Sequence, residues 1–171
     1  ILQTFADDFA KYGEKVNRRH LLTAFQAIPR LIGKKLKYVN ISRDIRAADL
    51  DRALHMLELA RLCHRVEHSA AHGMPLGAEA NPKVFKPISL DIGLVLSALG
   101  LNAVDLEAVD LMLVNAGAVC EQFVGQHLLY RQQIYRQPEL HYWVREQPSS
   151  SAEVDYVIGL GTHVLPIEVK A

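Results

Sequence analysis

Two short runs near the C-terminus constrain this chain more than anything else in it. They are Ala152-Glu-Val-Asp155-Tyr-Val-Ile158 and Val164-Leu-Pro-Ile-Glu168-Val-Lys170. Both read as strands, and twelve residues lie between Asp155 and Glu168, enough for one hairpin. Side chains alternate faces along a strand, so Glu168 and Lys170 share one face while Ile167 and Val169 take the other. Asp155 opposes Val154 and Tyr156 in the same way. The pattern predicts Asp155 and Glu168 on adjacent strands, with carboxylates close enough to share one cation. Hard cations take oxygen ligands, and Mg²⁺ usually keeps several waters, which makes Mg²⁺ the expected metal. The same spacing also fits a plain polar face turned to water. Glu121, in the apolar helical segment before these strands, either adds a carboxylate to the site or lies on a solvated helix face.

The residues upstream change period. Leu2, Phe5, Phe9 and Tyr12 recur at helical spacing and predict a helix over 1–12, stopped at Gly13. Asn17 is placed to cap a second helix, whose buried stripe is Leu21, Leu22, Phe25, Ile28 and Ile32. Pro29 inside that stripe should kink the helix or end it early. Residues 35–42 alternate weakly and suggest a short strand or an extended link. A third helix is expected over 46–61, with Leu50, Ala53, Leu54, Leu57 and Ala60 on its apolar face. Two strand candidates follow at 62–68 and 84–90, with Gly73, Pro75, Gly77 and Pro82 in the loop between them. Helices followed by a two-stranded wing is the layout of a winged-helix unit, a common way to place a helix in the DNA major groove. Further helices are expected at 91–99, at 104–113 and after an Asn115 cap. Residues 140–145 predict a strand, and 147–151 a turn.

Charge cuts both ways for the DNA reading: the polar face of the third helix, Asp49, Arg52, His55 and Glu58, is mixed in sign, where a DNA-reading helix is normally cleaner. Residues 1–65 carry 13 Lys/Arg against 7 Asp/Glu, and residues 66–171 carry 6 against 12. The halves therefore hold +6 and −6, although the whole chain is neutral. A basic surface that meets a polyanion is one reading, and a solvated face is the other. Arg18, Arg19, Lys34, Lys35, Lys37, Arg43 and Arg46 are the candidate nucleic-acid contacts.

Several chemistries find no support. Cys63 and Cys120 form no CxxC pair, which argues against a disulfide framework and fits a reducing, cytoplasmic setting. The longest apolar run, about 90–104, is interrupted by Asp91, Ser97 and Asn102 and is too short for a bilayer. Cys63, His64, His68 and His72 lack the second half of a structural zinc site. Gly159-Leu-Gly161 opens no helix and reads as a hairpin turn rather than a dinucleotide loop. Gly33-Lys34-Lys35 has Ile28 where a phosphate loop needs its first glycine, so no ATP site is expected. Ser149 to Ser151 lie in no nucleophile elbow. The chain opens on Ile1 rather than Met and ends directly after a strand, which reads as part of a longer protein.

Taken in order, several segments carry a family resemblance. They are Asn115-x-Gly117-x-x-x-Glu121-x-x-Val124, His141-Tyr142-Trp143, Glu153-Val154-Asp155 and Pro166-Ile167-Glu168-Val169-Lys170. Upstream, Ala27-Ile28-Pro29, Lys37-Tyr38, Leu57-Glu58-Leu59-Ala60, and Phe85-Lys86 leading to Asp91-Ile92-Gly93-Leu94 belong to the same set. Together they resemble the C-terminal region of prokaryotic AAA-type P-loop ATPases, a region of unknown function, over essentially the whole chain. The final motifs are similar to the PD-(D/E)XK nuclease signature. That resemblance implies Asp155 and Glu168 as metal-binding carboxylates, Lys170 as the lysine that positions water, and Glu121 as the accompanying helix glutamate. Val154 stands where the signature has proline. Nuclease folds of this type continue with a helix and a strand beyond the lysine, and the family's ATPase domain would precede Ile1.

The expected fold is α+β in two units. Residues 1–100 form a helical, winged-helix-like unit, and residues 101–171 a truncated restriction-endonuclease-like unit. The expected function is a metal-dependent nuclease-like module of an ATPase, and the alternative is a non-catalytic DNA- or protein-binding module that regulates it. The partners expected are the ATPase domain, DNA and, through an unpaired C-terminal strand edge, a second copy of the chain. No membrane partner is expected.

Overall fold

The structure is a computed structural model, and it describes residues 1–12, 16–101, 116–132, 135, 138–147 and 150–170. The expected helix over 104–113, the Asn115 cap and the Gly13 stop lie outside the described residues. The chain is mixed α/β. Helix α1 (Leu2–Asp8) runs into a 3-10 turn (Phe9–Tyr12), so the first predicted helix tightens in its second half. Helix α2 (Arg18–Leu31) is capped as expected, with the Asn17 side chain accepting from the Arg19 amide at 2.8 Å. Pro29 is buried within α2, and the helix ends two residues later. Residues 38–41 are not a strand but a single helical turn, α3 (Tyr38–Ile41). The Tyr38 hydroxyl donates to Asp51 at 2.8 Å, and its ring packs edge-on against Phe85. These tertiary contacts override the weak alternation of the segment. Helix α4 (Ala47–Leu59) follows.

Strand β1 (Cys63–Ser69) and strand β2 (Ala80–Ser89) form the expected antiparallel hairpin, with an irregularity at Glu67/His68. Helix α5 (Ile92–Ala98) is capped by the Asp91 carboxylate, which accepts from the Leu94 amide. Helix α6 (Ala116–Tyr130) leads to β3 (His141–Gln147), β4 (Ser150–Leu160) and β5 (His163–Ile167). The five strands form one sheet in the order β2-β1-β3-β4-β5. All neighbours are antiparallel except β1 and β3, which run parallel through Glu67↔His141 and His68↔Tyr142. One sheet thus joins the strands of both expected units.

Alternation along β2 explains the layering. Phe85 belongs to the cluster of Leu21, Ile28, Leu54 and Leu57 on α2 and α4. Its neighbour Lys86 points the other way and reaches α6. On that second side Val66, Ile88, Tyr142 and Tyr156 are buried and pack with Val124 and Leu128. Helices therefore cover both faces of the sheet, and the α6 side holds the carboxylates. No described helix is long and apolar enough to cross a membrane.

Candidate functional site

Three devices seat α6 on the sheet. Gln122 pairs with the backbone of Ser89, accepting from its amide and donating to its carbonyl, both at 2.9 Å. Gly33, with φ +65°, lets the helix approach: a Cβ there would lie 2.8 Å from Ala118 Cβ and 3.1 Å from Glu121 Oε2. Gly125 does the same for the sheet, since a side chain there would collide with Tyr156 and Ile88. The Tyr156 hydroxyl then donates to the Glu121 carbonyl at 2.7 Å.

Strand β4 contributes through a bulge. His141 pairs with Val157 and Trp143 with Val154, so β4 takes three steps where β3 takes two. The extra residue bends the strand and re-aims its side chains. Strict alternation would send Asp155 and Tyr156 to opposite faces. Instead Tyr156 reaches the backbone of Glu121 while Asp155 faces Lys86.

Lys86 is the centre of this arrangement. Its side chain is 5% exposed. Its Nζ donates to Glu121 Oε1 at 2.8 Å, is ion-paired with Glu153, and lies 3.8 Å from Asp155 Oδ1. It also sits 5.2 Å from the centre of the Tyr142 ring. Burial by itself would lower the lysine pKa, but the Glu121 charge and the hydrogen bonds to Glu121 and Glu153 hold it above its ordinary value. Burial raises the Glu121 carboxyl, and the nearby Asp155 and Glu153 charges add to this against the pull of Lys86. The second Asp155 oxygen accepts from the Val169 amide at 2.9 Å. This bond stands where a ladder bond would have continued β5, and the paired strand ends at Ile167, short of the expected Lys170.

The structure brings two of the four expected catalytic residues, Glu121 and Asp155, together at Lys86, while Glu168 and Lys170 are exposed and pair with each other, with Lys170 still close enough to Asp155 to feel its charge. Ile167 and Val169 join the α6-side core, so Glu168 projects away from it and takes Lys170 as partner at 2.7 Å. Both side chains of that pair are solvated, 48% and 81% exposed. The donor set does not form a ready cation site. Three carboxylates already surround an internal ammonium, and among the described residues no three His, Cys, Asp or Glu side chains are grouped as metal ligands. Sequence reasoning passed over Lys86 and Glu153. A charge inside the apolar run Val84-Phe-Lys-Pro-Ile88 was the available signal, because a buried lysine requires a partner.

The basic candidates fall into two places. Arg18 and Arg19 open α2, and Lys34, Lys35 and Lys37 follow its end. A 14-residue helix separates the two groups by about 20 Å. Arg43 and Arg46 lie on the link from α3 to α4, near Lys37 in sequence. All seven are exposed except half-buried Lys35.

Comparison with known families matches residues 1–105 to DUF8612, a domain of unknown function. Residues 116–171 match DUF4143, also a domain of unknown function. No curated protein and no solved structure matches the chain.

Proposed function

This chain belongs to the DUF8612 family, and we propose that it is a non-catalytic, nucleic-acid-binding module of an AAA-type P-loop ATPase. The ATPase association rests on the resemblance of the chain's motifs to the C-terminal region of those enzymes. The observation that carries the non-catalytic reading is Lys86, whose ammonium holds Glu121 and Glu153 and approaches Asp155. A nuclease of the resembled type needs its carboxylates for a divalent cation and its lysine for water. Here an internal ammonium already engages those carboxylates, and Lys170 is paired with Glu168 in solvent. The nuclease-like layout then serves as a scaffold that locks α6 to the sheet.

The binding surface is the link that follows α2. Lys34, Lys35, Lys37, Arg43 and Arg46 fall within thirteen residues that include a single acidic one, Asp44. Such a segment suits phosphates, whose neutralisation releases counterions and makes binding salt-dependent.

One set of measurements tests both halves. Fluorescence anisotropy with a labelled DNA duplex should give an affinity that falls steeply with salt. Reversing Lys34, Lys35 and Lys37 to glutamate should weaken it at least tenfold and flatten the salt slope. Unchanged binding in that variant would remove the nucleic-acid reading. Incubation of the same DNA and of RNA with Mg²⁺ or Mn²⁺ should give no cleavage. Cleavage that disappears in Asp155→Ala would restore the metal-dependent hydrolase reading instead.

A further inference from the structure

A second polar site lies where β3 begins, and it shares no lining residue with the Lys86 cluster. β3 begins level with Glu67, so among the described residues no strand lies beside residues 63–66 of β1 on that side. The notch this leaves widens into a cleft of about 760 Å³. It is floored by His64 and His141, flanked by Glu67 and Glu139, and bordered by Arg61 and Tyr130.

Its polar groups are unmatched. His141 is 5% exposed, and its buried ring nitrogens make no hydrogen bond of good geometry, with the Glu67 backbone the polar group beside them. His64 Nε2 is likewise buried and unpartnered. Nitrogens left this way are rare in folded proteins and carry a desolvation penalty. Burial pushes His64 down to about 4, helped by the Arg61 charge and His141. Burial lowers His141 as well, against the opposing pull of Glu139 and Glu67. Both rings are therefore neutral at pH 7, and each keeps a lone pair that can accept. Among the described residues, no cation pairs with Glu67 or Glu139 within ion-pair distance. Glu58, also on the wall, is already paired with Arg65 at 3.0 Å. Among the described residues, two carboxylates and two imidazoles thus present acceptors to one cleft; of the two arginines lining it, Arg65 is held by Asp51 and Glu58, and Arg61 stands exposed at the border.

We propose that this cleft binds an alkyl guanidinium or ammonium group. Such a group carries only donors, in the number and charge that Glu67, Glu139, His64 and His141 lack. The Tyr130 ring at the border adds a face over which a cation can rest. A transition metal is the poorer occupant, because its ligands must close to about 2 Å around one point and no three His, Cys, Asp or Glu side chains among the described residues are grouped so tightly, whereas a hydrogen-bonded organic cation accepts a wider spacing. The ligand is either a free organic cation or an arginine or lysine side chain of a protein partner. This site does not depend on the nucleic-acid reading above.

The test uses the full chain labelled with ¹⁵N-histidine. Titration with L-argininamide should shift the ring nitrogens of His64 and His141 saturably. L-Citrullinamide, nearly isosteric but uncharged, should bind at least tenfold more weakly, the scale of one charge-assisted hydrogen bond. The Glu67→Gln/Glu139→Gln variant should lose a similar factor while melting at the wild-type temperature. A capped Gly-Arg-Gly peptide identifies the source. Binding of both probes points to a protein side chain, and binding of argininamide alone to a free cation. No saturable shift at either histidine, equal affinity for citrullinamide, or Zn²⁺ binding that displaces argininamide would each overturn the proposal.

Discussion

Replacing Lys86 with methionine isolates what holds α6 to the sheet. Methionine keeps most of the side-chain volume and removes the charge. The loss falls unequally on the three carboxylates. Glu153 is 47% exposed and can turn to water, so its share is small. Asp155 keeps its bond from the Val169 amide. Glu121 is 11% exposed and has no other cation among the described residues, so the uncompensated charge settles there. Breaking a buried pair from one side costs about 3–5 kcal/mol. The low end applies because the raised Glu121 pKa lets the group take up a proton instead. With an unfolding slope of about 2 kcal/mol per molar urea, a loss of about 3 kcal/mol lowers the midpoint by about 1.5 M at pH 7. The sign with pH follows from the raised carboxyl. A folded-state pKa above the unfolded one contributes stability that is lost as pH rises through it, so the variant should lose less at pH 5 than at pH 7. Adding Glu121→Gln should recover most of the loss, since the double variant buries no lone charge. Urea titrations of the four proteins complete the cycle. A single variant within about 1 kcal/mol of wild type, or a double variant no better than the single, would refute the account of Lys86 as the organising charge.

Gly33→Ala should destabilise the chain by about 1–3 kcal/mol, because φ +65° disfavours a side chain and the new Cβ meets Ala118; thermal melting checks this. Asp155→Ala should speed hydrogen exchange at the Val169 amide and leave the β1–β2 hairpin unchanged, which exchange mass spectrometry reads directly. Acid should destabilise the fold through His64. Its folded pKa, about 4, lies below the unfolded value, so its contribution is present above pH 6.5 and disappears as pH falls toward 4. His64→Gln should flatten the stability curve over that window, and an unchanged acid limb would count against the buried neutral ring.

Apart from the single turn α3, the described helices were legible because capping and 3.6-residue periodicity are local. Asn17 and Asp91 cap α2 and α5 through side-chain oxygens two or three residues from their donors, a relation that sequence spacing contains. The hairpin of β1 and β2 was legible from two apolar runs around a Gly/Pro loop. The site was legible only in part. Glu121 and Asp155 do meet, at Lys86, but strict alternation could not foresee the β4 bulge, since one extra residue depends on how β3 and β4 pair. The same holds for Lys86, which meets Glu121 across 35 residues of sequence. Alternation turns Lys86 away from Phe85, but only the parallel pairing of β1 with β3 and the seating of α6 through Gly33 and Gly125 decide which carboxylates it finds there. The cleft of His64 and His141 arises in the same way, from a strand that starts level with Glu67. Sequence spacing determined which face each side chain takes along its own element. The tertiary structure decided which faces meet, because strand register and helix seating are set by contacts between residues far apart in the chain.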